Sequence, residues 1–171
     1  MQWLSDLLPG LNGALNIHPM LVHFPIVLFP LACLLFFLGN GGRPAWMAPA
    51  ARWALWVGTL TAASAIVSGY LAADGLGHDK PGHDLIHDHR NLMIITGTLA
   101  LVLSTLVFLL RKKNRPSVRW LLGVGHLVLV VLLVIGSDRG AVLVYRYGFG
   151  VQQQNLPASK DHAGDNEHQH N

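Results

Sequence analysis

Charge is scarce in this chain and cysteine nearly so. Only 12% of the 171 residues are Asp, Glu, Lys or Arg, about half the share of an ordinary soluble domain. The single cysteine, Cys33, excludes an internal disulfide. No C-x-x-C-H signature is present, so any haem would be held without covalent attachment. No Ser/His/Asp set and no phosphate-binding glycine loop can be read either, and the chain is not taken for an enzyme. The first 17 residues lack a positive n-region and an A-x-A site and carry Asp6, so no cleavable signal peptide is expected.

What the chain has instead is long apolar runs. Hydrophobic residues make up 51% of it. Four runs, about 20 to 39, 52 to 73, 91 to 110 and 118 to 137, reach the roughly 20 residues that cross a bilayer core. Before them, Trp3, Leu4, Leu7, Leu8 and Leu11 recur at helical spacing among polar residues, as in a helix lying in the membrane interface. The fold class is therefore an all-α integral membrane protein: a four-transmembrane-helix bundle with a short interfacial N-terminal helix. Three regions follow: an interfacial amphipathic segment at 1–17, the four-helix domain at 18–151, and a His-rich tail at 152–171. The tail's polar composition predicts disorder.

Acidic residues are missing from one side of this topology. The loops 40 to 51 and 111 to 117, with the adjoining helix ends, hold Arg43, Arg52, Arg111, Lys112, Lys113, Arg115 and Arg119 and no acid. All acidic residues fall on the other side. By the positive-inside rule both termini face the periplasm of a bacterial inner membrane. The basic residues sit where topology needs them, so they imply a lipid bilayer as partner and no nucleic acid.

Nine of the ten histidines fall in the segments assigned outside. In "NIHPMLVHFPIVLF", Pro19 suits a first helical turn, so His18 is expected just before the helix and His23 on its first turns. The two are five apart, about 140° around a helix, so they cannot face one ligand. In "HDLIHDHRN", His83, His87 and Asn91 share one helical face. Two imidazoles from facing helices of a four-helix bundle can hold haem b. The leading assignment is His23 and His87 as axial ligands, His18 as substitute, Asn91 nearby, and Arg90 and Arg139 where propionates would emerge. Electron transfer with the quinone pool or periplasmic redox carriers would follow. A second reading gives His83, His87 and His89 with Asp84 or Asp88 a divalent Zn, Cu or Ni ion. A third is an accessory subunit of a larger membrane complex, or a homo-oligomer. His126, alone inside a span, reads as a lone structural hydrogen bond.

The chain resembles a family of bacterial membrane proteins, domain of unknown function 2231. The likeness rests on "HPMLVHFPIVL", a small-residue second span ending near Asp74, "HDHRN" and the closing "GAVLVYRYGFGV". It covers nearly all of residues 16 to 151. The resemblance implies a four-helix membrane domain with a leaning toward redox or haem chemistry. His18, His23, His87, Asn91, Gly140, Tyr145, Gly148 and Gly150 match its pattern. Ala141, where a second glycine is usual, and the His-rich loop and tail depart from it.

Overall fold

A computed structural model of the protein describes residues 17–39, 44–74, 82–113 and 115–150. The expected interfacial segment, the loop residues 75–81 and the His-rich tail lie outside the described residues. Within them the elements are α1 (His18–Leu21), α2 (His23–Gly39), α3 (Met47–Asp74), α4 (His83–Leu110) and α5 (Pro116–Tyr147). No strand occurs among the described residues. α1 and α2 together make one crossing, and with α3, α4 and α5 there are four helices long and apolar enough to span a membrane.

The prolines shape the first crossing without stopping it. Pro19 sits in the first turn of α1, where its missing N–H leaves nothing unpaired. His18 is already the first helical residue, one step inside the expected boundary. Pro25 has no N–H to offer the Leu21 carbonyl, and α1 ends at Leu21. The chain carries on because Val22 N bonds His18 O at 3.2 Å and Ile26 N bonds Val22 O at 3.3 Å. At the far end, α5 continues beyond its apolar run, through Asp138 and Arg139, to Tyr147. Gly148 then turns left-handed at φ 68°. Gly148 N and Phe149 N bond Val144 O and Leu143 O at 3.0 and 3.1 Å, and the 5→1 bond from the left-handed glycine closes the helix as an αL cap.

The four crossings form a square. α2 packs on α3 and α5, and α4 packs on the same two, while α2 and α4 do not pack on each other, nor do α3 and α5. The first and third crossings are therefore diagonal partners. Phe29, Leu55, Leu129 and His126 fill the centre, while Phe24, Val27, Leu31 and Leu34 are exposed along the outside of α2. That exposure is ordinary for a helix facing lipid, where packing and interhelical hydrogen bonds hold the bundle together. Such a bond lies between α3 and α4: Thr59 Oγ1 and Ser104 Oγ are 2.8 Å apart, and Trp56 Nε1 donates to Ser104 O at 3.4 Å.

The two halves of the bundle repeat. Gly39 ends α2 and Leu110 ends α4, so the shift is 110 − 39 = 71 residues. The same shift carries α3 onto 118–145, within two residues of each end of α5. It also pairs His18 with His89, Leu21 with Leu92, Leu28 with Leu99, Phe37 with Phe108 and Gly69 with Gly140. The bundle is thus a tandem pair of helical hairpins related by an axis along its length, a parallel repeat.

Candidate functional site at the histidine end

The repeat is kept most faithfully at two imidazoles. His18 Nδ1 lies 2.9 Å from Ala65 O on α3, with Ser68 Oγ at 3.2 Å. His89 Nδ1 lies 2.9 Å from Gly136 O on α5. Each bond spans 47 residues of chain. Each ring also rests on the glycine one turn beyond its carbonyl. A Cβ at Gly69 would come within 2.8 Å of His18 Cε1, and one at Gly140 within 3.0 Å of His89 Cε1. A side chain at either position would push the ring off its carbonyl.

These bonds fix the chemistry of the rings. A carbonyl oxygen can only accept, so Nδ1 carries a proton in both rings, and in a neutral ring the lone pair is then on Nε2. That is the tautomer in which a metal-ligating histidine is usually held, its other nitrogen tied to a backbone carbonyl. Both rings are half-buried. They belong to diagonal crossings, and His18 and Arg139 both lie within electrostatic range of His89.

The residues expected to form the site separate into three groups. His18 and His89 face the interior as described, with Arg139 half-buried beside His89. His83, His87 and Arg90 form a chain along one side of α4. Arg90 Nη2 donates to His87 Nδ1 at 2.7 Å, so the His87 proton sits on Nε2, which donates to His83 Nε2 at 2.9 Å. The Arg90 guanidinium also lies 5.6 Å from the centre of the Tyr70 ring on α3. His23, Asn91, Asp84 and Asp88 are all exposed. His23 is exposed on the outside of α2, so the structure does not bring His23 and His87 together. His89, read with His83 and His87 as one metal set, is tied instead to α5. Among the described residues no three His, Cys, Asp or Glu side chains converge as a metal site.

His126 is 2% exposed. Its Nδ1 donates to Leu122 O in the preceding turn at 2.8 Å, and its ring stacks on Phe36 at 4.6 Å. The 71-residue shift places it opposite Leu55, so this level of the bundle offers one imidazole where the histidine end offers two. Sequence reasoning missed the pairing of His18 with His89. The signal was there in the spacing of small residues: Ala65 and Gly69 in the second crossing recur as Gly136 and Gly140 in the fourth.

Fold and site together define a polytopic membrane protein built from two helical hairpins, with a histidine from each hairpin docked on the next helix. Residues 14–153 match the family described as "Predicted membrane protein (DUF2231)". This covers most of the chain, and the protein belongs to that family. No curated protein and no solved structure matches it.

Proposed function

We propose that the protein binds one haem b between its first and third crossings, with His18 and His89 as axial ligands, and serves as a one-electron carrier. The observation that carries this reading is the matched anchoring of the two rings on diagonal crossings. Each Nδ1 is bonded to a carbonyl at the same place in the repeat. A bis-imidazole haem needs two such rings, oriented in advance and presenting Nε2. Ala65, Gly69, Gly136 and Gly140 keep bulk away from the neighbouring crossings at this level. Met93, whose side chain lies over Gly136, is a flexible filler that a macrocycle would displace. Arg139, within electrostatic range of His89, and Arg90, which donates to His87, suit the propionates. The iron would take one electron on going from ferric to ferrous and give it up on returning. Quinol in the bilayer and a periplasmic carrier fit as donor and acceptor if the basic end faces the cytoplasm, as its charge favours. Full-length protein purified after expression with ample haem should show a low-spin Soret band and resolved α and β bands on reduction. A preparation without a Soret band overturns the reading.

One observation supports a different centre. His83 and His87, four apart on α4, meet at their Nε2 atoms at 2.9 Å, and a Zn, Cu or Ni ion could take the place of the proton shared between them. Elemental analysis separates the two readings: iron with a haem spectrum supports the first, and stoichiometric zinc, copper or nickel without one supports the second.

A further inference from the structure

The opposite end of the bundle holds a feature that haem binding does not use. A cavity of about 380 Å³ opens there among all four crossings, within the roughly 300–1,000 Å³ typical of small-molecule sites. Arg52, Arg111, Lys113 and Arg119 line it, and among the described residues no carboxylate does. His126 and Phe36 form part of its wall. His126 is nearly wholly buried there, and its Nδ1 donates to Leu122 O at 2.8 Å.

Positive-inside topology explains why this end is basic, but not why the cations are distributed as they are. Lys112 and Arg115 supply charge at the same end without lining the cavity. Arg52 on α3, Arg111 and Lys113 in the turn after α4, and Arg119 on the first turn of α5 converge on one space. Four cations around one rim repel each other, and an anion between them turns that repulsion into attraction. Three of the four are arginines, whose planar fork matches the oxygens of a phosphate group.

We infer that the basic-end cavity is a binding site for a phosphate group, carried either by an acidic phospholipid headgroup or by free phosphate. The site is independent of the haem proposal. Its lining residues come from the other end of the bundle, so either can fail alone.

The test uses full-length protein in phosphatidylcholine nanodiscs, with the thermal midpoint as readout. One arm raises the fraction of phosphatidylglycerol, and the other adds inorganic phosphate. The expected result is a rise in midpoint in at least one arm, which also identifies the source of the phosphate. Replacing Arg52 and Arg119 together by Gln should weaken the response roughly tenfold, and replacing Lys112 and Arg115 together by Gln by less than about twofold. If the Gln pair at 52 and 119 fails to fold, Arg52→Lys with Arg119→Lys keeps the charge but removes the fork, and should weaken the response roughly threefold. No stabilisation in either arm overturns the proposal. So does an equal loss from the lining and non-lining Gln pairs, which would make the effect diffuse surface charge.

Discussion

The two ends of the bundle obey the same repeat and use it differently. At the histidine end the repeat is kept: His18 answers His89, Gly69 answers Gly140, and the two carbonyl bonds share a length and a chain separation. At the basic end Phe37 still answers Phe108, but the buried histidine is not repeated: His126 answers Leu55. Helical packing alone does not ask for a histidine twice at one depth in a membrane, where an ionisable side chain is costly and usually functional. In the proposed function the kept pair is the shared ligand site, and the single His126 is part of an asymmetric wall. Changing matched positions in the two halves tests that contrast.

The largest expected effect is at the paired imidazoles. His18→Ala and His89→Ala should each abolish the low-spin haem spectrum, because one remaining ring leaves an axial position open. His23→Ala and His87→Ala should leave that spectrum in place. Loss of the spectrum in His23→Ala or His87→Ala, with His18→Ala intact, would return the ligand role to the pair favoured by sequence. Optical spectra of the four purified variants decide it.

The next effect is at the glycines beneath the rings. Gly69→Ala puts a Cβ 2.8 Å from the His18 ring, and Gly140→Ala puts one 3.0 Å from the His89 ring. Each ring is pinned by its carbonyl bond, so the clash should cost about 1–3 kcal/mol, offset by up to about 1 kcal/mol of helix propensity. Gly69→Ala should be the worse of the two, since its contact is closer. Both should lower haem occupancy as well as the unfolding midpoint in detergent. A stabilised variant with full haem content would show that the rings are free to move.

How much of this was legible beforehand differs between backbone and side chains. The four crossings follow from apolar runs of sufficient length, and Pro19 marks where the first begins. The depth of the histidine end followed from counting along those runs. The direction of each ring did not. His18 and His23 are about 140° apart, and only the packing of α1 on α3 shows that His18 is the inward one. The repeat was hidden because its identities are leucines, a phenylalanine, a glycine and a histidine, and the apolar residues among them recur by chance in any membrane helix. Asp138 and Arg139 interrupt the apolar run of α5 but contain nothing that breaks a helix, and the hydrogen-bond ladder continues through them until Gly148 ends it.

A smaller effect is expected at the hydroxyl pair between the hairpins. Ser104→Ala removes the partner of Thr59 Oγ1, which keeps its own bond to Leu55 O at 2.8 Å. Because that hydroxyl stays satisfied, the loss should be about 0.6–1 kcal/mol, read as a modest fall in midpoint with the haem spectrum unchanged. A loss above about 2 kcal/mol would mean that the clasp, rather than side-chain packing, holds the two hairpins together.

The smallest effect should come from making the basic end symmetric. His126→Leu puts leucine at both matched positions, 55 and 126. It gives up a hydrogen bond to the Leu122 carbonyl, which the helix backbone itself also engages, and the stack on Phe36. In return it removes a polar group that is 2% exposed from an apolar wall. These contributions oppose each other and each is about 1 kcal/mol, so the midpoint should hardly move. The haem spectrum should not change, because His126 is far along α5 from Gly136. If His126→Leu instead removed the haem, the basic end would hold the cofactor, and the contrast between the ends would have to be reversed.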